Sequence, residues 1–458
     1  MDFTENCMTF SSMIPRLIYS ILYAIALIFL LPFQYRKRPK EFRGKWLMEK
    51  FGFFNYKLQI PKSPLPPFSK GGHGGIIWIH AVSVGEVIAS MSLIRRLKER
   101  LPGVNFIVST ITDTGQKVAI EKSPEGTQVL YLPFDLAFIL KRALKDICPA
   151  LFIAMETELW PNLFRALKRQ NIPALIMNGR ISDDSFRGYK KIRFFLKDMI
   201  SCIDIFCMQD SVYAQRIKEL GASEDRVRVL GNFKFDTRPS ANIPEWTELL
   251  APPVIIAGST HRGEEDLVVS VYSKLKNDFP DLNLIIAPRH PDRFKEVEDL
   301  VRARGLAYKK RSELVTRNSR LGESPGATKL ETLKGCVVLL DAVGELASVY
   351  ASADIAIIGG SFIPHGGQNL LEPAYWAKPI LCGTHMENFP FAKEFYEKGA
   401  AMKVDAASLF EKLRDLLLYP EKMEMMGKKA KEMCDEKSGA VEKAVKIIEE
   451  YLFERSIP

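Results

Sequence analysis

The chain has 458 residues, of which 47% are hydrophobic and 26% are charged. This length is too great for one compact domain, and the apolar content is ample for buried cores, so we expect a globular protein of two or three domains and exclude a disordered chain. The 64 Lys and Arg residues exceed the 55 Asp and Glu residues and give a net charge of +9. Such a balance favours an acidic partner: nucleic acid, anionic lipid or a phosphorylated substrate.

The cysteines are scattered along the chain and include no C-x-x-C pair. They are Cys7, Cys148, Cys202, Cys207, Cys336, Cys382 and Cys434. This spacing argues against a disulfide framework or a zinc site and favours a reducing cytoplasm.

An uncharged apolar segment, LIYSILYAIALIFLLPF, covers residues 17–33. As a helix it would rise about 25 Å, slightly less than the hydrocarbon core of about 30 Å. A basic cluster follows it: Arg36, Lys37, Arg38, Lys40, Arg43 and Lys45. A cleaved signal peptide has its charges before the apolar run, and a buried core helix does not explain the basic cluster. The pattern predicts a membrane anchor with the body of the protein in the cytoplasm. A full span and a helix lying in the interface both remain open.

Beyond the anchor, short apolar runs alternate with helical stretches in two series. The first series is expected at 76–80, 105–110, 128–133, 150–155, 174–178, 205–209 and 227–231, and the second at 254–259, 282–288, 335–341, 355–360 and 379–383. Such alternation indicates parallel sheets with helices on both faces. We therefore predict an α/β fold of two doubly wound, Rossmann-like lobes facing a cleft. The expected boundaries are 1–45 for the anchor and its flank, 46–240 and 252–437 for the lobes, and 438–458 for a helix returning to the first lobe.

Two segments are expected to be surface insertions. One is the Pro/Gly-rich stretch SPLPPFSKGGHGG at 63–75, and the other is the loop at 322–328.

Polar residues follow many of the predicted strands, where parallel sheets bind ligands. Histidines cluster at such positions, namely His80, His261, His290, His365 and His385, whereas His73 does not. Their spacing fits no metal motif, so no metal site is expected. Neither a G-x-G-x-x-G after the first strand nor a P-loop is present, which argues against a dinucleotide oxidoreductase and a P-loop kinase.

The stretch GGSFIPHGGQNLLEPA at 359–374 is the most informative in the second lobe. Glycines let a backbone approach a ligand closely, and free amides at a helix start suit a phosphate. Glu372 would then accept hydrogen bonds from ribose hydroxyls. The alternative is a plain turn in which Glu372 is favoured by the helix dipole.

In the first lobe, charged residues follow several strands. They are Glu86 in WIHAVSVGEV, Glu156 and Glu158 in METELWPN, Arg180 and Arg187 in NGRISDDSFRGY, and Lys234 in GNFKFD. Any one of them is as easily surface decoration as a functional group, but together they indicate one cleft.

These motifs, with GSTH, APRHP, DAVGEL and PHGGQNLLEPA, closely resemble the 3-deoxy-D-manno-octulosonic acid (Kdo) transferases of lipopolysaccharide assembly, and the resemblance covers nearly the whole chain. It implies a GT-B fold in which the first lobe binds the acceptor and the second binds the nucleotide sugar. It also implies CMP-Kdo as donor, the lipid A precursor (lipid IVA) as acceptor, inversion without a metal, and a place at the cytoplasmic face of the inner membrane. No nucleic acid partner and no cofactor are expected.

By the same resemblance, Glu86 would be the catalytic base, with His80 and Ser83 as candidates for orienting it. Glu156 and Lys234 would stabilise the transition state. The implied CMP contacts fall on Pro288, Arg289, Val343, Gly344, Glu345, Asn369, Leu370, Leu371 and Glu372. A single leaving phosphodiester can be neutralised by Arg, Lys and helix amides, which is consistent with the lack of a metal motif. For Glu86 the alternative is a first-turn glutamate that stabilises the helix dipole.

Two other functions compete with this interpretation. One is a different GT-B glycosyltransferase that uses a UDP-sugar on a lipid acceptor. The other is a non-catalytic membrane-anchored module that binds a nucleotide or a lipid phosphate.

Overall fold

The computed structural model describes residues 10–54, 75–314 and 332–454. Residues 63–74 of the first predicted insertion, with His73, and the whole of the second at 322–328 lie outside the described residues. Two compact units are present. The first comprises the described parts of Met1–Thr237 and Ser438–Pro458, and the second is Arg238–Lys437.

The first unit is built on a seven-stranded parallel sheet with the strand order β3-β2-β1-β4-β5-β6-β7. Its strands are β1 (Ile76–His80), β2 (Asn105–Thr110), β3 (Gln128–Tyr131), β4 (Leu151–Met155), β5 (Ala174–Gly179), β6 (Ile205–Met208) and β7 (Val227–Val229). Its helices are α1 (Phe10–Lys37), α2 (Lys40–Lys50), α3 (Val84–Arg100), α4 (Asp113–Lys122), α5 (Ala137–Ile147), α6 (Pro161–Arg169), α7 (Asp183–Lys191), α8 (Arg193–Ile200), α9 (Ser211–Leu220) and α17 (Ala440–Glu454).

Strand β1 shows why the sheet is buried on both faces. Ile76 and Trp78 lie in one hydrophobic core, and Ile77 and Ile79 lie in the other. Successive side chains of a strand point to opposite faces, so a strand covered on both sides reads as a continuous apolar run. This is the pattern IIWIH that predicted the strand.

Helices α3 and α17 pack on the same face of the first sheet. Val87, Met91, Ile94 and Leu97 of α3, and Leu101 directly after it, are buried there. Ala444, Val445 and Ile448 of α17 lie in the same core. The end of the chain therefore contributes to the core of the first unit.

The second unit is also built on a seven-stranded parallel sheet, with the strand order β10-β11-β9-β8-β12-β13-β14. Its strands are β8 (Val254–Thr260), β9 (Asn283–Pro288), β10 (Tyr308–Lys310), β11 (Val337–Leu339), β12 (Ile355–Ile358), β13 (Ile380–Cys382) and β14 (Met402–Lys403). Its helices are α10 (Glu264–Leu275), α11 (Phe294–Ala303), α12 (Leu346–Val349), α13 (Leu371–Tyr375), α14 (Ala392–Glu397), α15 (Leu409–Leu418) and α16 (Pro420–Lys437).

The twelve predicted strands are all present, and the prediction of two parallel α/β sheets is confirmed. Two strands were missed, β10 and β14, which form the two edges of the second sheet. They are three and two residues long and read YKK and MK. Edge strands need no continuous apolar run, so hydrophobic periodicity did not reveal them.

Replacing Ile448 with Ala tests the contribution of α17 to the first unit. Ile448 is fully buried, so removing its larger side chain should leave a cavity and lower the free energy of unfolding by about 2–5 kcal/mol. Chemical denaturation followed by tryptophan fluorescence measures this. Lys446→Ala, at an exposed position of the same helix, should change the free energy by less than about 0.5 kcal/mol. Equal stability of Ile448→Ala and the unmodified protein would contradict the packing.

Candidate active site

Glu86 lies at the start of α3 and is buried. Its Oε2 accepts a hydrogen bond from the Val82 amide at 2.8 Å, and its Oε1 accepts one from the Ser83 amide at 3.3 Å. The Glu86 amide in turn donates to Ser83 Oγ at 3.3 Å. This reciprocal arrangement is a capping box. Ser83 thus holds the Glu86 backbone, and Glu86 has the structural role that the sequence left open.

His80 interacts with Ser109 rather than with Glu86. Its Nδ1 lies 3.0 Å from both the carbonyl oxygen and the Oγ of Ser109. Burial of the imidazole lowers the pKa of His80 to about 3, so the ring is neutral. The expectation that His80 orients Glu86 is therefore wrong, because its ring is fixed by the neighbouring strand β2.

Two further carboxylates, Glu156 and Glu158, interact electrostatically with Glu86. They follow β4, the strand next to β1 in the sheet. Burial and the negative charge of Glu86 raise the pKa of Glu156, whereas Arg180 and Lys234 act in the opposite direction. Burial, followed by the charge of Glu86, raises the pKa of Glu158 to about 7. Glu86, Glu156 and Glu158 are called the carboxylate cluster below.

Strong local bonds fix the segments that carry Glu156 and Arg180. Glu156 has a positive φ of 54°, and its amide donates to the Met177 carbonyl at 2.8 Å. The Thr157 hydroxyl donates to the Arg180 carbonyl at 2.5 Å, and the Arg180 amide donates to Thr157 Oγ1 at 3.0 Å. The turn after β4 is thereby tied to the end of β5. A left-handed conformation at a glutamate is uncommon and is maintained here by its surroundings.

Lys234 lies in a short 3-10 helix, Phe233–Asp236. Burial lowers the pKa of its ammonium group, and the charge of Glu156 opposes that effect. The Phe233 amide donates to Asn178 Oδ1 at 3.0 Å, and the Lys234 amide donates to Asn232 Oδ1 at 3.0 Å. The three residues predicted as catalytic, Glu86, Glu156 and Lys234, are therefore brought to one region of the first unit.

Asp236 joins this 3-10 helix to the end of the chain. Its two carboxylate oxygens accept hydrogen bonds from the Gly439 amide at 2.5 Å and from the Val441 amide at 3.0 Å. An acidic side chain at a helix start satisfies amides that have no partner within the helix. Sequence reasoning quoted Asp236 within GNFKFD but gave it no role, because its partners lie about two hundred residues away.

In the second unit, the residues predicted to contact CMP follow three strands of one sheet. Pro288 is the last residue of β9 and is buried, and Arg289 after it is exposed. Positions 343–345 follow β11, and positions 369–372 follow β12. Strands β11, β9, β8 and β12 are consecutive neighbours, so these loops share the carboxyl edge of the sheet.

The loop at 343–345 combines an exposed apolar residue with a fixed carboxylate. Val343 is 78% exposed, and Gly344 has a φ of 93°. Glu345 accepts hydrogen bonds from Trp246 Nε1 at 3.0 Å and from the Arg311 guanidinium at 2.8 and 3.0 Å. The Glu345 carboxylate is thus engaged within the unit. The CMP contact predicted at these positions, which stays a prediction, would therefore come from Val343 and Gly344.

The loop at 369–372 is held by its own polar side chains. The Leu371 amide donates to Asn369 Oδ1 at 3.1 Å, and Asn369 Nδ2 donates to Glu372 Oε1 at 3.2 Å. Burial raises the pKa of Glu372, whereas Asn369 and Arg289 lower it. Arg289 and Glu372 therefore lie close enough to interact. The Leu370 side chain is buried beneath the loop. Helix α13 begins at Leu371, and the first amide of this helix is already paired with Asn369 Oδ1.

Two glycines of the 359–374 stretch, Gly359 and Gly367, are explained by the packing of the chain against itself. A Cβ atom at Gly359 would lie 2.3 Å from the Ser259 carbonyl oxygen. One at Gly367 would lie 2.2 Å from Met386 Sδ. These glycines permit a close approach, as expected, but the atoms approached belong to the protein and not to a ligand.

Three histidines meet at the same edge of the second sheet. The rings of His261 and His365 stack with a centroid distance of 4.5 Å, and His290 meets His261 edge-on at 5.6 Å. Burial, followed by the positive potentials of His365, His290 and Arg289, lowers the pKa of His261 to about 4. The other two strand-end histidines are not part of this group: His80 is in the first unit, and His385 lies 3.4 Å from Glu387.

Glu264 is the residue of the second unit whose role sequence reasoning missed. It is 1% exposed at the start of α10. Its Oε2 accepts from the Gly360 amide at 2.7 Å and the His261 amide at 2.9 Å, and its Oε1 accepts from the Phe362 amide at 2.9 Å. The motif GSTH ends three residues before Glu264, and nothing in the sequence distinguishes Glu264 from the adjacent Glu265. Within residues 10–54, 75–314 and 332–454, no group of His, Cys, Asp or Glu side chains is arranged to hold a metal ion.

Comparisons with solved structures define the fold. UDP-GlcNAc 2-epimerase from Neisseria meningitidis, solved with UDP-GlcNAc, aligns with a TM-score of 0.52 over 83% of this chain and 99% of that chain, at 14% identity. MurG of Acinetobacter baumannii aligns with a TM-score of 0.50 over 82% and 99%, at 12% identity. With the two parallel sheets, these likenesses identify the chain as a two-lobed α/β protein of the GT-B glycosyltransferase fold.

The sequence comparisons then give the family. Residues 45–237 match the family model described as 3-deoxy-D-manno-octulosonic-acid transferase (kdotransferase). The 3-deoxy-D-manno-octulosonic acid transferase of Haemophilus influenzae is 33% identical over 422 residues, which cover 90% of this chain and 92% of that protein. The chain therefore belongs to the 3-deoxy-D-manno-octulosonic acid transferase family, and it is a glycosyltransferase. The resemblance stated from the motifs is confirmed.

Replacing Glu264 with Gln tests the anchoring of the glycine-rich loop. The amide nitrogen of Gln cannot accept the backbone hydrogen bonds that one carboxylate oxygen receives, so buried donors would face each other. We expect the free energy of unfolding to fall by about 1–3 kcal/mol, which thermal unfolding by calorimetry measures. Glu411→Gln, at an exposed position of α15, serves as the control. An unchanged transition in Glu264→Gln would show that the three bonds do not hold the loop.

Proposed function

We propose that the protein transfers Kdo from CMP-Kdo to the lipid A precursor in lipopolysaccharide biosynthesis, with inversion at the anomeric carbon and without a metal ion. Membership of the Kdo transferase family supports the sugar and the reaction. The single structural observation that carries the proposal is the carboxylate cluster with Lys234 and Arg180 at the end of the first sheet. It contains the acid–base and charge-stabilising groups that a glycosyl transfer to an alcohol needs.

Glu86 is proposed as the base. In the reaction, an acceptor hydroxyl oxygen bonds to the anomeric carbon while the bond from that carbon to the CMP phosphate breaks. The hydroxyl proton passes to the Glu86 carboxylate, and the electron pair of the broken bond leaves with CMP. An alcohol is a weak nucleophile, and a positioned base typically contributes 10²–10⁴-fold in rate. The capping box fixes the position of the Glu86 carboxylate and is compatible with this role.

Lys234 and Glu156 are proposed to stabilise the transition state. The Lys234 ammonium would compensate the negative charge that develops on the leaving phosphate, and the Glu156 carboxylate would balance positive charge on the sugar ring. The charges of Lys234 and Arg180 act on the pKa of Glu156, and the charges of Glu156 and Arg180 act on the pKa of Lys234, which supports a common site for these groups. The hydrogen bonds of the loop around Lys234 would keep the ammonium in place during the reaction.

The second unit is proposed to bind CMP-Kdo through Pro288, Arg289, Val343, Gly344 and positions 369–372. Arg289 is exposed and near Glu372, and it would pair with the phosphate of the donor. Glu372 would accept hydrogen bonds from the ribose hydroxyls. The positive charge of Arg289 at this edge supports a negatively charged ligand.

The proposed location is the cytoplasmic face of the inner membrane, where the acyl chains of the acceptor lie. Helix α1 is long and apolar enough to cross a membrane, by length and composition. Lys and Arg residues near an anionic surface contribute about 1 kcal/mol each to association. Not all of the basic flank is available for this. The Arg38 guanidinium bonds Asp113 at 2.9 Å and stacks on Trp46 at 4.0 Å.

The activity is tested by incubating detergent-solubilised protein with CMP-Kdo and tetra-acylated lipid A precursor and weighing the products by mass spectrometry. A mass increase of one or more Kdo units supports the proposal and counts the sugars added. Parallel reactions with UDP-sugars examine the rival donor class, and reactions with EDTA examine the need for a metal. If the folded protein transfers no Kdo from CMP-Kdo, the proposed donor is wrong. If EDTA abolishes the activity and Mg²⁺ restores it, the proposed metal independence is wrong.

Glu86→Gln separates the base from the cap, because Gln at this position can still take part in a capping box. We expect kcat to fall at least a hundredfold. The melting temperature should fall only modestly, because the Gln amide oxygen still accepts one of the two backbone amides while its NH2 group faces the other. Ser83→Ala is the matched variant: it removes the side-chain cap and keeps the carboxylate. It should lose about 1 kcal/mol of stability and retain most of its activity. Comparable activity of Glu86→Gln and the unmodified enzyme would assign Glu86 to the cap alone.

Arg289→Ala tests the donor site. Loss of a charge-assisted hydrogen bond to phosphate should raise KM for CMP-Kdo about tenfold or more, without a comparable change in KM for the lipid. Steady-state kinetics with each substrate varied in turn measures both values. Arg414→Ala on α15, which removes an exposed arginine paired with Asp278, is the control. A selective effect on the lipid KM would place Arg289 with the acceptor instead.

A further inference from the structure

Helix α1 has two chemically different faces, and the polar face is bonded to the body of the first unit. The Arg16 guanidinium donates to both Asp198 carboxylate oxygens at 2.7 Å. The Tyr19 hydroxyl donates to Asp135 Oδ2 at 2.9 Å. Asn162 Nδ2 donates to Ser20 Oγ at 3.1 Å. The first turns of the described helix are thus held by hydrogen bonds and an ion pair.

The attachment continues along the helix. The Asp135 amide donates to the Tyr23 hydroxyl oxygen at 3.3 Å. Leu27 and Leu31 pack against the buried cluster that contains Trp46 and Phe134. From Arg16 to Leu31 the helix rises about 22 Å, and it contacts the body of the first unit along this whole distance. The contacting positions recur every three or four residues, so they form one face.

The opposite face of α1 is apolar and exposed. Its side chains are 45–76% exposed. They are Leu17, Ile18, Ile21, Leu22, Ile25, Ile28, Phe29, Leu30 and Phe33. A continuous apolar surface of this size on a water-soluble body marks an interaction site. The exposed basic residues Arg36, Lys37 and Lys40 follow it directly, and they fit the anionic headgroups at a membrane surface.

A transmembrane orientation conflicts with the attachment. If α1 crossed the bilayer, the segments bonded to it would enter the hydrocarbon core together with the Arg16–Asp198 ion pair and Asp135. The Arg165 guanidinium also donates to Asp198 Oδ2, at 2.9 and 2.7 Å, and it would be carried along. Burying such charged groups and the loop backbone around them in lipid costs several kcal/mol per group. Releasing α1 would instead break every one of these contacts.

We infer that α1 lies in the plane of the membrane, with its Leu17–Phe33 face in an anionic lipid bilayer and its other face on the first unit, and that it does not cross the bilayer. This deepens the membrane location given under the proposed function. It does not depend on the sugar that is transferred, because the tests below measure sidedness and lipid binding. Failure of Kdo transfer would leave them unaffected.

Two native cysteines report the sidedness of α1. Cys7 precedes the helix in the sequence, and Cys148 is exposed on the body of the first unit. One full-length variant carries Cys148→Ser and Cys202→Ser, and the other carries Cys7→Ser and Cys202→Ser. The remaining cysteines, Cys207, Cys336, Cys382 and Cys434, are buried. Both variants are treated with a membrane-impermeant maleimide in sealed inverted inner-membrane vesicles, before and after detergent.

An α1 that lies in the membrane plane leaves Cys7 and Cys148 on the same side, so the reagent labels both to a similar extent before detergent. A spanning helix puts them on opposite sides, so Cys148 is labelled at once and Cys7 only after detergent. The second result would overturn the inference.

Lipid binding tests the apolar face itself. Leu30→Glu places a charge on this face, and Leu418→Glu makes the same change at a position of similar exposure on α15 (51% and 47%). On vesicles of phosphatidylethanolamine and phosphatidylglycerol, the partition coefficient of Leu30→Glu should fall about tenfold or more, and that of Leu418→Glu should be unchanged. Equal binding of the two variants would overturn the inference. The inference would also be overturned if Leu30→Glu left lipid binding unchanged but converted a dimer to a monomer in light scattering, because the apolar face would then bind a second copy of the chain.

Discussion

The backbone amides that follow the parallel strands need hydrogen-bond acceptors, and carboxylate side chains supply several of them in both units. The hydrogen bonds between neighbouring strands pair backbone amides only within the strands, and the first amides of a helix have no partner within that helix. Glu86 fills this need after β1, Asp236 at the start of α17, and Glu264 between β8 and β12. These bonds help to determine where the loops that follow β1, β8 and β12 lie.

The same constraint makes carboxylates at strand ends ambiguous when they are read from sequence. Glu86 and Glu264 each follow a buried strand and occupy the first turn of a helix, and both accept hydrogen bonds from backbone amides. They differ in what surrounds them. Glu86 interacts with Glu156 and Glu158, whereas Glu264 accepts three backbone amides that hold the loop at 360–362. Like charges assembled without a full set of opposite charges cost stability, and such a cost is typical of sites kept for chemistry.

Much of the fold could be predicted because buried parallel strands consist of consecutive apolar residues. The segments expected at 76–80 and 105–110, IIWIH and NFIVST, match β1 and β2 to the residue. The family, too, could be recognised from the motifs. The surroundings of the site residues could not. Glu345 is bound by Trp246 and Arg311, which lie 99 and 34 residues from it in sequence, and no local pattern connects them. The 3-10 helix that carries Lys234 is fixed by Asn178, 55 residues before Phe233, and this pairing exists only once β5 and the 3-10 helix are folded together.

In the N-terminal helix α1, the polar residues lie on one face, and the mean hydropathy of the segment does not reveal this. Hydropathy sums the apolar residues of α1 without regard to the side on which they lie, so it treats a spanning helix and a surface helix alike. The polar residues Arg16, Tyr19, Ser20 and Tyr23 fall on one face of the helix at spacings of three and four residues, and the structure shows what they bind. In a spanning helix, polar groups on one face need partners within the membrane. Here the partners Asp198, Asp135 and Asn162 belong to a folded α/β body. Apolar length alone therefore does not determine how a helix meets a bilayer, because the groups that occupy its other face set the depth at which it can lie.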